Sequence, residues 1–161
     1  MKAFVLAIVS FLLFFPYPQI TEADASTGAI HQTVESVEAA RSDIGAAARN
    51  LTGMRDSLSG IEGQAIQNVT DEAWLLFRTA GEIVIVGDIY EKMKNKDDQL
   101  TVFQYFGNSA RQYAKQVEIS LPWINSCLTR ITTPAALMEA TKVRDKMLQV
   151  RMAAQQFESG T

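Results

Sequence analysis

Residues 70–93, TDEAWLLFRTAGEIVIVGDIYEKM, form the most apolar stretch of the chain outside its N-terminus and decide its fold. Residues 83–86 are β-branched and lie between Gly81 and Gly87, which suits a buried strand. The apolar character, however, runs from residue 73 to residue 93, much longer than an ordinary strand. Thr70 is a favourable N-cap, acids follow it, and lysines gather at the far end, as a helix dipole favours. The stretch therefore predicts a helix rather than a strand.

Three charged residues of this helix, Asp71, Arg78 and Glu82, are spaced so that they share one narrow side. Arg78 and Glu82 are four residues apart, the spacing of a helical ion pair. The other directions are mostly apolar, which predicts a central helix enclosed by other elements with a thin wet edge. A membrane span is not expected, because Arg78, Glu82 and Asp88 would lie at hydrocarbon depth.

The segment from residue 29 to residue 61 has the heptad spacing of a long amphipathic helix. One seam holds apolar residues seven apart: Ile30, Val37, Ile44, Leu51 and Leu58. The companion seam, three residues later, holds Thr33, Ala40, Ala47, Met54 and Ile61. Gly45 lies off both seams, and Gly60 and Gly63 supply the stop signal.

From residue 100 onward the apolar residues again step by three or four, and they pass Pro122 without losing phase. This predicts a long third helix that is kinked near Pro122, because proline removes one backbone hydrogen bond. The alternative is a break there, with Ser120 capping a short new helix. Thr132, Thr133 and Pro134 then predict the start of the last helix, with proline at its first position.

Four such segments joined by short links predict an all-α fold, an up-down bundle of about four helices with the central one most enclosed. The first 25 residues have the pattern of a signal peptide: Lys2, an apolar run over residues 3–15, and an Ala23-Asp24-Ala25 cleavage motif. Cleavage after Ala25 would leave one domain, residues 26–161, in the periplasm or outside the cell. The alternative is an uncleaved N-terminal anchor.

The net charge and the cysteine content limit the classes of function that the chain can have. The formal net charge is −3, which is not the basic footprint that nucleic acid requires. Cys127 is the single cysteine, so no internal disulfide forms. We interpret Cys127 as a buried small residue, with a disulfide-linked dimer as the sharper alternative.

The candidate chemical groups are few. His31, the single histidine, shares one helix face with Glu35 and Glu38, a weak metal candidate. Acids at that spacing more often solvate a helix, so we expect no metal and no cofactor. Asp88, an acid in the most apolar helix, is the candidate for a perturbed pKa.

No nucleophile lies beside a base in a known motif, so we expect no catalysis. The leading hypothesis is an exported bundle that binds a protein partner or a copy of itself, motivated by the seams of the first and last helices. Trp123 is the candidate exposed anchor at such an interface. A carrier that holds an apolar small molecule between its helices is the alternative. An enzyme is the third hypothesis, and it would require Asp88, His31 and Cys127 to meet.

Overall fold

A computed structural model describes residues 23–159, which form four helices and no strand. They are α1 (Ala23–Arg55), α2 (Gly60–Lys92), α3 (Lys96–Leu128) and α4 (Pro134–Ser159). The all-α prediction is confirmed for this part of the chain. The predicted signal peptide lies almost wholly outside the described residues, so its cleavage after Ala25 stays a prediction.

The central stretch is helical, and the strand alternative for residues 83–86 is wrong. Ile83 is fully buried, whereas Ile85 is 60% exposed. A strand buried on both faces would cover both side chains. A helix turns about 100° per residue, so residues two apart point in nearly opposite directions. The spacing of the apolar residues therefore decided the structure against β-branched propensity.

The predicted start of the central helix at Thr70 is wrong. α2 begins ten residues earlier, at Gly60, whose φ of +69° is a left-handed conformation that glycine adopts readily. Thr70 is buried within α2, and its hydroxyl donates to the carbonyl of Ile66 at 2.8 Å. An acid, Asp71, follows Thr70 as it would follow an N-cap. The helical spacing of apolar residues, however, already includes Ile66 upstream of Thr70.

The first predicted helix ends earlier than expected, at Arg55, so the last members of both heptad seams are misplaced. Ile61 belongs to α2 and is 72% exposed. Upstream of this end, four seam residues are fully buried as predicted: Ile30, Val37, Ile44 and Leu51. Gly45 was placed off the seams, yet it is buried, and a Cβ there would lie 2.8 Å from the Phe77 ring. The small residue lets α1 and α2 approach closely.

α3 runs without interruption through Pro122, so the alternative of a break with a Ser120 cap is wrong. Val117 and Ile124 are buried on either side of the proline, so the apolar phase is kept across it. The bend itself stays a prediction. α4 begins at Pro134, directly after Thr132 and Thr133, as predicted.

Side-chain contacts show that α1 and α2 run antiparallel. Arg55 donates to the Gln67 side chain at 2.7 Å, joining the end of α1 to the beginning of α2. At the other end, His31 near the start of α1 lies 2.8 Å from Glu91 at the end of α2. The short link between the helices permits this arrangement.

Aromatic rings connect the next helices in the same alternating way. The Phe103 ring, near the start of α3, lies 6.2 Å from the ring of Tyr90 near the end of α2. It also lies 5.3 Å from Phe157 near the end of α4. α4 in turn packs on α1, so each helix contacts its neighbours around one shared core.

α2 is not surrounded on every side by other helices, and whether it is the most enclosed helix stays a prediction. Its buried side packs mainly on α1 and α3, and its opposite side carries the exposed residues Leu75, Ile85 and Ile89. All four helices contribute to the core. The apolar residues around the whole circumference of α2 therefore have two different environments.

Candidate functional site

The heptad seams of α1 and α4, which motivated the prediction of an interaction surface, are buried inside the bundle. Residues of the α4 seam, such as Ala140, Val143 and Met147, are as fully buried as those of α1. The outer side of α1 carries polar residues, including Gln32, Glu35 and Ser42. These two helices therefore offer no free heptad seam to a partner.

Large exposed apolar side chains occur on α2, α3 and α4. Among the described residues, four exposed large apolar side chains lie on α2, four on α3, three on α4 and none on α1. Single exposed apolar residues are ordinary, but aligned ones mark interaction surfaces.

On α2, six exposed residues step by three or four along one side: Asp71, Leu75, Arg78, Glu82, Ile85 and Ile89. On α3, a second exposed row steps in the same way: Tyr105, Asn108, Gln112, Lys115, Ile119 and Trp123. Residues with this spacing lie above one another on a helix. We call the two rows together the α2–α3 face.

A polar cluster between the two helices holds the rows in register. Glu72 of α2 accepts hydrogen bonds from the side chains of Ser120 and Gln116 of α3, the second at 3.2 Å. The Ser120 side chain is buried, and its oxygen also accepts from the Gln116 amide at 3.1 Å. Because buried polar groups are costly to leave unpaired, this cluster favours one position of α3 along the axis of α2.

Trp123, the predicted interface residue, is 49% exposed and lies at one end of the α3 row. Its exposure matches the prediction, while its use in an interface stays a prediction. Sequence reasoning missed the α2 members of the face, Leu75, Ile85 and Ile89. Their signal was the same three-or-four spacing that picked out Arg78 and Glu82.

The predicted ion pair between Arg78 and Glu82 does not form among the described residues. Both side chains are exposed, and neither makes a hydrogen bond or ion pair within the described part of the chain. The α2–α3 face thus carries two opposite charges, one helical turn apart, that have no partner within the described residues.

His31 meets two carboxylates, and only one of them was predicted. Its Nδ1 lies 2.8 Å from Glu91 and its Nε2 lies 3.4 Å from Glu35. The hydrogen bond with Glu91, and then the charge of Glu35, raise the pKa of His31 above its ordinary value of 6.5. Glu38 turns to Arg41 instead, at 2.9 Å. No cluster of residues suited to a metal ion occurs within residues 23–159.

The structure does not bring Cys127, His31 and Asp88 together. Cys127 is 1% exposed, and burial raises the pKa of its thiol. A hydrogen bond with Asn68 places this thiol beside the first half of α2. His31 contacts Glu91, about 34 Å further along the same helix. Asp88 is exposed on the His31 side of the bundle, so the thiol has neither partner.

Burial of Cys127 favours the interpretation as a small core residue over a disulfide-linked dimer. The exposure of Asp88 matches the plainer alternative of an acid at the bundle edge. Neither residue contributes to the α2–α3 face.

A shallow cleft between α1 and α4 has a volume of about 100 Å³. Polar side chains of Gln32, Thr33, Ser36 and Gln156 line much of it, together with Phe157. Pockets that enclose drug-sized molecules are about 300–1,000 Å³ and mainly apolar. This cleft therefore lends no support to the carrier alternative.

The chain matches no known protein-family model, and comparisons with curated proteins and with solved structures give no significant match.

Proposed function

We propose that this chain is an exported helical-bundle protein that acts by binding another protein chain through the α2–α3 face, without catalysing a reaction. The observation that carries the proposal is the alignment of exposed apolar side chains in two neighbouring rows. Leu75, Ile85 and Ile89 supply the first row, and Tyr105, Ile119 and Trp123 supply the second.

Covering these side chains is the main gain that such a face offers. Each square ångström of apolar surface removed from water contributes about 25 cal/mol, before the costs of association. Tyr105 and Trp123 add the residue types that most often anchor protein interfaces. α1, with no large apolar side chain exposed among its described residues, offers no comparable gain.

The charges of the face point to a protein partner rather than a polyanion. Arg78 and Lys115 are balanced by Asp71 and Glu82, so the face carries no excess of either sign. Nucleic acids and anionic membranes are held by clusters of basic residues. A partner with apolar side chains and a few charges of both signs fits this face better.

Export is the second part of the proposal, and residues 1–25 support it by their signal-peptide pattern. None of the helices within residues 23–159 is long and apolar enough to cross a bilayer. The N-terminal sequence of the protein recovered from outside the cytoplasm tests export directly. We expect it to begin at Ser26, and recovery of the intact N-terminus in the cytoplasm would contradict export.

Affinity capture from the compartment where the protein accumulates tests the binding function. The bait is the tagged protein, and a differently tagged copy of the same chain is present, so that heterologous and identical partners are both detected. Ile85→Glu places a charge on the α2–α3 face. Ala39→Glu places the same charge on the exposed side of α1 and serves as the matched control.

We expect the bait to retain a specific partner with Ala39→Glu and to lose it with Ile85→Glu, while circular dichroism shows both variants folded. Loss with both variants, or with neither, would contradict the assignment of binding to this face.

A further inference from the structure

The middle four residues of the exposed row of α2 are arranged symmetrically about position 80. Arg78 and Glu82 flank position 80 at equal distances, and Leu75 and Ile85 flank it one turn further out. Turning the helix end over end about position 80 exchanges the two charges and exchanges the two aliphatic residues. A second α2 laid antiparallel on the first would therefore pair opposite charges and aliphatic side chains at these four positions, while Asp71 and Ile89, nine residues before and after position 80, would meet each other at the two ends.

Three residues of the α3 row are also placed symmetrically, with Gln112 at the centre. Tyr105 and Ile119 lie seven residues before and after it, and all three side chains are exposed. An antiparallel copy of α3 would place Gln112 opposite Gln112 and Tyr105 opposite Ile119.

The two centres of symmetry lie at the same level of the bundle. Glu72 is hydrogen-bonded to Ser120, and the two helices run antiparallel. Eight residues forward from Glu72 reach position 80, and eight residues back from Ser120 reach Gln112, because the rise per residue is the same on both helices. The contact between the Tyr90 and Phe103 rings near the other end of the helices gives the same result. Ten residues back from Tyr90 reach position 80, and ten residues forward from Phe103 reach position 113, one residue from Gln112.

We infer that the partner of the α2–α3 face is a second copy of this chain, docked face to face about a two-fold axis that crosses α2 at the level of position 80 and α3 at the level of Gln112. The inference rests on the proposed function and names its partner. Two-fold interfaces are self-complementary, with residue i of one copy meeting residue j of the other and the reverse. Arg78 would meet Glu82 of the second copy twice, once on each side of the axis.

The free state of these two charges supports the arrangement. Arg78 and Glu82 have no partner within the described part of one chain, so docking breaks no existing pair. With Asp71 and Lys115 the face is balanced in charge, so two identical faces approach without net repulsion. Like charges juxtaposed across an interface would oppose association.

A charge swap tests this geometry without disturbing the core. Arg78→Glu puts two acids opposite each other on both sides of the axis, and Glu82→Arg does the same with two arginines. We expect either variant alone to weaken self-association about tenfold or more in sedimentation equilibrium. An equimolar mixture of the two variants should recover the affinity of the original protein, because each opposed pair again joins opposite charges. The double variant Arg78→Glu with Glu82→Arg should recover it too.

The outcomes separate this inference from the proposed function. Recovery in the mixture and in the double variant supports the two-fold arrangement. Single variants that associate as tightly as the original overturn it. A protein that stays monomeric across a wide concentration range also overturns it, while loss of a different captured partner with Ile85→Glu would leave the binding function intact. A monomer that captures no partner through this face overturns both.

Discussion

The side chain of Glu62, in the first turn of α2, receives the backbone N–H of Thr133 at 2.6 Å, just before α4 begins at Pro134. The same carboxylate accepts from the backbone and the hydroxyl of Thr132, at 2.8 and 2.9 Å. Donors from Thr133 and then Thr132 lower the pKa of Glu62 from 4.5 to about 2. This one carboxylate thus ties the link between α3 and α4 to the start of α2.

Glu62→Gln should lower the urea midpoint of unfolding at neutral pH, because the neutral amide is a poorer acceptor for three N–H and O–H groups. A lowered pKa in the folded state means that the ionised form stabilises the fold above the ordinary value of 4.5. The stabilisation is lost as the pH falls towards 2. The difference in midpoint between Glu62→Gln and the original protein should therefore shrink over that range.

Asp88→Asn provides the control for this comparison, since it removes an exposed acid that makes no hydrogen bond among the described residues. Its midpoint should match that of the original protein at neutral pH. A pH-independent difference for Glu62→Gln would contradict the role of the charge.

The imidazole of His31 should titrate with a midpoint above 6.5 in proton NMR, where a single histidine gives one resolved signal. Glu91→Gln should move the midpoint down, because it removes the largest cause of the shift. Glu38→Gln should leave it in place, since Glu38 pairs with Arg41. The raised pKa means that this contact stabilises the fold below pH 6.5 and that the contribution is lost as the pH rises through the folded-state value. Equal midpoints in all three proteins would contradict the contact between α1 and α2.

Gly87→Ala should destabilise the bundle by about 1–3 kcal/mol, as overpacking of a core does. A Cβ at this position would collide with the side chain of Val34 and lie 3.1 Å from the Phe106 ring. Gly53→Ala is the matched control, because a Cβ there meets nothing within 4 Å. That substitution should stabilise α1 by about 1 kcal/mol through helix propensity alone. Chemical denaturation measures both, and a gain in both variants would contradict the close packing around Gly87.

Cys127 should react slowly with a thiol reagent in the folded protein and rapidly in denaturant. Its side chain is buried, and the raised pKa leaves little of the reactive thiolate at neutral pH. A non-reducing gel of the native protein should show no disulfide-linked dimer. Rapid modification of the folded protein would revive the disulfide alternative.

Periodicity in the sequence was sufficient to predict the number of helices, the buried residues of α1 and the start of α4. It failed at the start of α2, because Thr70 followed by Asp71 resembles a cap although its hydroxyl bonds to the carbonyl of Ile66. Local chemistry cannot separate these two roles, since a threonine within a helix and a threonine that precedes one both find backbone partners.

The α2–α3 face was harder to predict, because α2 is apolar on its buried side and on much of its exposed side. Ile83 and Ile85 have the same chemistry, and only the positions of α1 and α3 decide which one is covered. Sequence periodicity reports which residues share a side of a helix, but not whether a neighbour packs on that side. Trp123 was picked out because it follows Pro122 directly and because tryptophan often anchors protein interfaces.

Disulfide trapping at Gln112 tests the self-docking of the α2–α3 face most directly, because the axis places this residue opposite itself. Gln112→Cys should form a covalent dimer quickly under mild oxidation, and Ser42→Cys, exposed on α1, should not. Because Cys127 is buried and unchanged in both variants, it contributes equally to the background. Fast, selective cross-linking of Gln112→Cys is the predicted result. Equal cross-linking of the two variants, or none in either, would contradict the face-to-face arrangement.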